Sequence, residues 1–189
     1  MGIFSLAKRV APGLELHVST QASTTNWHTV QMWKELGATR VVAAREVSLA
    51  DLKEMKDNVD IEIESFVHGS MCISYSGRCL LSNYMTGNRD ANRGQCSQSC
   101  RWKYSLVESN RPGEYYPIEE DEHGTYIFNS KDLCLIHRIP DLYEAGVDSL
   151  KIEGRMKSVH YCATVAKVYR TAIDTYLKER SEEHTSELQ

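Results

Sequence analysis

The sequence predicts an α/β fold: the C-terminal part of a (β/α) TIM-like barrel with a Cys-rich segment and a small antiparallel hairpin insertion. Three observations carry that reading. Short apolar strands alternate with helical segments along most of the 189 residues. The stretch Glu35-Leu36-Gly37 with its following strand is echoed by Glu144-Ala145-Gly146 and the strand after it. In both, a helix stops at glycine, a buried strand follows, and polar residues gather at the strand's C-terminal end, which is the unit of a parallel sheet. Only four such strands are visible, fewer than a closed barrel needs, so Met1 is read as an internal residue of a longer barrel. A doubly wound open sheet is the alternative, but no Gly-rich dinucleotide fingerprint supports it.

The first strand is placed in the alternating run Leu14 to Thr20. Ser23, Thr24 and Thr25 offer caps to a helix reaching about Leu36, with Trp27, Val30 and Trp33 on one face and Gly37 as its stop. Arg40 to Ala44 is the second strand. Ser48 and Asp51 form a capping-box pattern for a helix to about Lys56, and Ile61 to Val67 alternates as a third strand. Turn signals at Arg111-Pro112-Gly113 and Glu122-His123-Gly124 predict the hairpin insertion over 102–128, with the acidic run Glu119 to Glu122 as a solvated turn. Helical turns follow at Asp132 to Ile136 and Asp141 to Ala145. The fourth strand is Val147 to Ile152, and an amphipathic helix runs from Val159 to about Leu177. Residues 180–189 carry no apolar periodicity and match the translation of a sequencing-adapter oligonucleotide. They are read as an artefact, leaving a domain of 1–179, and rereading the source DNA tests this.

Composition excludes several classes. Hydrophobic residues at 41% and charged residues at 25% suit a globular protein with a core. No apolar run approaches a membrane span and no signal-peptide pattern opens the chain, so no membrane partner is expected and the location is read as cytoplasmic. The net charge of −4 gives no global signal for nucleic acid. Any RNA contact must use a local patch.

Five of the six cysteines lie between Cys72 and Cys134. A cytosolic chain rarely gathers thiols without a metal, a cluster or a redox task. Only Cys96-Ser-Gln-Ser-Cys100 has the close spacing of a zinc pair. The spacing favours an iron–sulfur cluster over zinc, with unligated buried thiols also open. Cys162, inside the last helix, reads as a core residue.

Parallel barrels build sites at the C-terminal ends of their strands. Those ends offer His17 and Gln21, then Arg45 and Glu46, then Glu64 and His68, then Lys151, Glu153 and Arg155. The cations suit an anionic substrate, and the carboxylates can position them or exchange protons; simple strand-end salt bridges are the plainer reading. Asn88 to Gln95, with Arg101, Trp102, Lys103 and Tyr104 beyond it, is the basic stretch interleaved with aromatics. Asn92, Arg93, Arg101 and Trp102 are the residues expected to grip phosphate and stack a base. A Cys72–His68 dyad lacks an orienting third group, and neither His-Glu-x-x-His nor Gly-x-Ser-x-Gly occurs, so proteolysis has little support.

The run Glu64-Ser-Phe66-Val-His68-Gly69-Ser-Met-Cys72, four residues, then Gly77-Arg-Cys79-Leu-Leu-Ser82 resembles the signature of the collagenase-like peptidase family U32. Likeness extends to His17-Val-Ser-Thr-Gln21, Ala44-Arg45-Glu46, Ala91-Asn92-Arg93-Gly94, Cys100-Arg101-Trp102, Asn129 to Cys134 and Lys151 to Lys157, covering about 1–178. The peptidase label of the family has no settled catalytic residues. The resemblance implies other work: oxygen-independent hydroxylation of tRNA wobble uridine to 5-hydroxyuridine, drawing on prephenate. Other branches act on a cytidine of ribosomal RNA or, as a divergent pair binding 4Fe–4S clusters, support ubiquinone hydroxylation. By position it implies a 4Fe–4S cluster on Cys72, Cys79, Cys96 and Cys134, with Cys100 an extra thiol. It also implies tRNA and a small carboxylate co-substrate as partners, and a homologous partner subunit as in the divergent pair. A collagenase-like peptidase, or hydroxylation of another RNA, is the alternative function.

Overall fold

The computed structural model describes residues 2–102, 104–117 and 131–187. Helix α1 (Gly2–Val10), which the sequence reading did not include, lays Phe4 on Trp33 with ring centroids 5.6 Å apart. Its Lys8 Nζ donates to the Leu36 carbonyl at 2.7 Å, satisfying a carbonyl left open at a helix C-terminus. Strand β1 (His17–Val18) is shorter than expected because Ser19 turns the chain into a 3₁₀ turn, its Oγ accepting from the Gln21 amide at 3.2 Å. Helix α2 (Trp27–Glu35) is capped by Asn26 rather than by the preceding threonines; Asn26 Oδ1 accepts from the Thr29 amide at 3.0 Å. Strand β2 (Arg40–Val42) leads to helix α3 (Leu49–Asn58), where the capping box of Ser48 and Asp51 forms as the spacing predicts.

Strand β3 (Glu62–Gly69) is the longest and organises the sheet. It pairs in parallel with β2 on one edge and with β7 (Ser149–Ile152) at its other register, with a bulge between Phe66 and His68. The parallel strands therefore neighbour one another in chain order, β1, β2, β3, β7. After helix α4 (Leu81–Thr86), strands β4 (Ser105–Leu106) and β5 (Tyr116–Pro117) pair antiparallel around the Arg111-Pro112-Gly113 turn, which forms the predicted hairpin. The second turn at Glu122 to Gly124, the acidic run and Lys103 lie outside the described residues.

One expectation fails. Residues 132–136 are not helical turns; β6 (Leu133–Cys134) pairs antiparallel with His68 and Gly69 at the end of β3, and only 136–138 form a 3₁₀ turn. Open backbone groups at the end of β3 offer hydrogen bonds that outweigh a weak local helix preference. Helix α5 (Ile139–Glu144) and helix α6 (Val159–Glu187) complete the described chain, and α6 runs past the expected end near Leu177. Among the described residues no helix is long and apolar enough to cross a membrane.

Helices cover one face of the sheet. Val30, Trp33, Leu52 and Met55 pack against Val18, Val41 and Ile63 in one cluster. Ile139, Leu142 and Tyr169 close over Val67 in a second. Between α3 and β7, Asp148 Oδ2 accepts from the Ile63 amide at 2.7 Å and from Lys56 Nζ at 2.8 Å, fixing the β3–β7 register. The other face carries polar side chains, described below. The fold is thus a mixed α/β sheet, parallel in its main strands.

Tyr169 is the polar anchor of the second cluster. Its hydroxyl donates to the Val67 carbonyl at 2.8 Å and accepts from the Leu135 amide at 3.1 Å, and burial pushes its pKa up to about 12. The Leu135 amide also donates directly to the Val67 carbonyl at 2.9 Å, so Tyr169→Phe removes the hydroxyl's bonds but leaves both backbone groups paired, and a chemical denaturation curve is expected to show a loss of about 1 kcal/mol. An unchanged midpoint would show that water takes over both bonds.

Candidate functional site

A glycine brings the ends of β3 and β7 together. Gly69 has φ +102°, and a Cβ there would lie 2.3 Å from the Glu153 carbonyl oxygen. The Glu153 amide donates to the His68 carbonyl at 2.8 Å across this contact. The chain then runs through Ser70 to Cys72 and over the strand ends. Gly77 repeats the device with φ +79° and a would-be Cβ 2.1 Å from the Gln21 carbonyl oxygen.

Ser76, 1% exposed, pins this loop to the first two strands. Its Oγ accepts from the Arg45 amide at 3.1 Å and donates to Glu46 Oε2 at 2.9 Å, while the Glu46 carboxylate also accepts from the Ser76 amide. Thr20 Oγ1 donates to the Ala43 carbonyl at 3.1 Å beneath it. Glu46 therefore serves to hold the cysteine loop. Nothing in its sequence position distinguished that role from chemistry.

The loop roofs a cavity of about 50 Å³ whose wall includes Cys72, Cys79, Cys96 and Cys100. Gln21, Arg45, Glu153 and Arg155 from the expected list also line it, as does Arg101. Glu153, 9% exposed, has both carboxylate oxygens engaged, by the Arg155 amide at 3.0 Å and by Gln98 Nε2 at 3.0 Å. Gln98 is a residue the sequence reading missed; its place between the thiols of Cys96 and Cys100 was the available signal. Arg45 lies over Phe66 with its Cζ 4.0 Å from the ring centroid, and its Nε and Nη1 are buried with no acceptor among the described residues.

The thiols lie within electrostatic reach of one another. Burial raises the Cys72 thiol, opposed by Arg45, and the neighbouring thiols push the same way as burial. Burial likewise raises Cys100, with Cys96, Cys72 and Cys79 adding to it and Arg101 opposing. Four thiols beside an arginine with open donors are of the donor type that a sulfur-ligated, anionic group takes. Among the described residues no three potential ligands converge to metal-binding positions.

Other expected residues lie elsewhere. Cys134 is exposed and is not part of the cavity wall; its place on β6 puts it beside Tyr169. His68 packs its ring against Tyr161 and Tyr169, away from the cavity wall, and His17 is exposed beside Glu15. Asn92 and Arg93 stand exposed on a 3₁₀ turn, and Trp102 is about half exposed at 47%. Arg101 turns inward instead, 2.6 Å from Asp132 Oδ1, and donates to the Met71 carbonyl at 3.3 Å.

Glu64 and Lys151 form an ion pair in mid-sheet at 2.6 Å, not part of the cavity wall. Ser149 Oγ and Arg40 Nη1 complete the set at 3.0 Å and 3.4 Å. Burial by itself would raise the Glu64 carboxyl, but the Lys151 bond and charge, with Ser149 and Arg40, outweigh it and hold the group below its ordinary value of 4.5. A depressed carboxyl stabilises the fold above that ordinary value and loses its contribution as pH falls through the folded value. Glu64→Gln is thus expected to cost stability near neutrality, with the gap to wild type closing as pH falls through the folded carboxyl's value, below 4.5. Parallel pH–stability curves for the two proteins would contradict this.

The model of peptidase family U32 matches residues 1–189. The chain is 56% identical over 174 residues to tRNA hydroxylation protein P1 of Bacillus subtilis (strain 168), covering 92% of this chain and 41% of the relative. It is 43% identical over 213 residues to tRNA hydroxylation protein P of Escherichia coli (strain K12), covering 92% and 47%. The 23S rRNA 5-hydroxycytidine C2501 synthase of the same strain is 36% identical over 182 residues, covering 96% of this chain and 26% of the relative. No solved structure matches. The chain spans less than half the length of these curated relatives. With the signature glycines and cysteines accounted for by the geometry of the cavity, the chain belongs to peptidase family U32.

Proposed function

We propose that this chain is part of a tRNA hydroxylation enzyme that converts wobble uridine to 5-hydroxyuridine without oxygen, with prephenate as the hydroxyl donor. The observation that carries the reading is the thiol-lined cavity with arginines in its wall, in a chain whose relatives are named for tRNA hydroxylation. Chain-order parallel strands with helices on one face are in keeping with a (β/α) barrel completed by further strands. A homologous subunit is the natural second component, since Bacillus subtilis carries related proteins P1 and P2.

In this reading Cys72, Cys79 and Cys96 hold a 4Fe–4S cluster with Cys134 as fourth ligand, and Cys100 is the extra thiol of the same cavity. The cluster would supply electron-transfer or Lewis-acid chemistry. Arg45, whose buried Nε and Nη1 have no acceptor among the described residues, offers positive charge to a carboxylate co-substrate. Glu153, fixed by Gln98 and by the Arg155 amide, is placed to hold or accept a proton in the cavity. Lys151 and Glu64 serve as a structural pair beneath it.

Deleting the gene in its host is expected to remove 5-hydroxyuridine from tRNA, read by mass spectrometry of nucleosides from anaerobic cultures. The wild-type gene should restore it and Cys72→Ser should not. Loss of 5-hydroxycytidine from ribosomal RNA instead would move the substrate, and gelatin cleavage abolished by a single nucleophile substitution would establish a peptidase. The ligand set has its own assay: about four iron and four sulfide per chain, lost in Cys134→Ser and kept in Cys100→Ser. The reverse pattern would assign Cys100 as the fourth ligand.

A further inference from the structure

A second concave surface adjoins the thiol cavity and shares a wall with it. This open groove, about 430 Å³, is lined by Asn88, Arg89, Gly94, Gln95 and Arg155, with no carboxylate among them. Arg89 is aimed by its own loop: Nε donates to the Gln95 carbonyl at 3.0 Å, and Nη2 meets only Met156 Sδ at 3.8 Å. Arg155 is exposed, and its Nη2 lies 4.0 Å from where a Gly94 Cβ would stand. Neither guanidinium has an ion-pair partner among the described residues. Exposed Arg93 stands on the same loop. Asp90, on the same loop, turns its carboxylate to the Asn92 amide, so in a chain of net charge −4 this is a local concentration of cations without ion-pair partners among the described residues.

Arg155 belongs to both surfaces, so the groove opens beside the thiols. Another part of the cavity wall carries Tyr75, 74% exposed although it is a large aromatic. Two guanidinium groups suit phosphate oxygens, and an exposed ring suits the face of a base. A single-stranded nucleic-acid site combines the same two chemistries: phosphate contacts fix position and stacking holds the base.

We propose that Arg89 and Arg155 bind a backbone phosphate of a single-stranded RNA segment, and that Tyr75 stacks a base of that segment at the mouth of the thiol cavity. The inference rests on the RNA-modifying reading and assigns its contacts to residues largely different from the Asn92, Arg93, Arg101 and Trp102 expected from sequence. Arg101 is committed to Asp132, whereas Arg89 and Arg155 are open to a phosphate. An acidic peptide would satisfy the arginines but would leave Tyr75 without a stacking partner.

The test is binding of an unmodified tRNA transcript to the protein purified anaerobically from its host, measured across a series of salt concentrations. Arg89→Gln is expected to weaken binding about tenfold and to make the salt dependence shallower by about one unit of slope. Tyr75→Ala should weaken binding with the slope unchanged, because stacking releases no counterion. Asn88→Asp leaves the Arg89 scaffold in place and should weaken binding by repulsion, which guards against a folding defect in the arginine variant. Arg170→Gln, on the far helix and paired with Asp174, should match wild type. Unchanged affinity in both Arg89→Gln and Asn88→Asp, with wild type binding tRNA, overturns the groove alone. A wild type that binds no tRNA, or releases it equally to polyglutamate, overturns the groove and the RNA reading together.

Discussion

Everything around the cavity depends on one close backbone approach, that of Gly69 to Glu153. Strands β3 and β7 run parallel in register until the bulge at Phe66 and His68 shifts them. Beyond it the Glu153 amide reaches the His68 carbonyl, and the missing Cβ of Gly69 lets the two chains meet. The contact delivers Glu153 into the cavity wall and sends the chain from β3 across the strand ends as the cysteine loop. Any side chain at Gly69 would combine an unfavourable φ with a backbone collision. The second such contact, Gly77 on Gln21, and the Ser76 bonds to Arg45 and Glu46 then tie the far end of the loop to β1 and β2. Two of the glycines in the family signature are thereby accounted for as points where backbones touch.

The charges divide into two populations. In mid-sheet, Glu64 is surrounded by Lys151, Ser149 and Arg40, so a part-buried carboxylate is compensated and works for the fold. At the strand ends the balance reverses. Glu153 and Glu46 are held by backbone amides, by the Gln98 amide group and by a hydroxyl, which consume no cationic side chain. Arg45, Arg89 and Arg155 are consequently left without carboxylate partners among the described residues. Neutral donors satisfy the acids and the cations remain available, which is how a chain with net negative charge presents a positive site.

Legibility followed the range of the forces involved. The capping box at Ser48, the glycine stops and the chain-order parallel strands depend on local hydrogen bonds and periodicity, and the sequence disclosed them. Residues 132–136 were misread because β6 exists only through bonds to His68 and Gly69, more than sixty positions away. Cys72, Cys79 and Cys96 share one cavity wall with Cys100; Gln98 had the signal of lying between two of these thiols, whereas Tyr75, an aromatic loop residue, carries no spacing signal. Arg101 shows the same limit. Its neighbours made it look like a surface cation, but Asp132 draws it inward.

The state of the thiols bears on which chemistry the family label describes. A cysteine nucleophile needs its thiolate stabilised by a nearby base, a helix N-terminus or excess positive charge. Burial raises Cys72 and the neighbouring thiols raise it further, with Arg45 the opposing influence. The imidazole that could have served as base, His68, packs edge-on against Tyr169 and tilted against Tyr161, and its Nδ1 has no partner among the described residues to orient it. These features oppose a Cys72–His68 dyad. A buried thiol held in its protonated form is a poor nucleophile, so the surroundings of Cys72 give proteolysis little support.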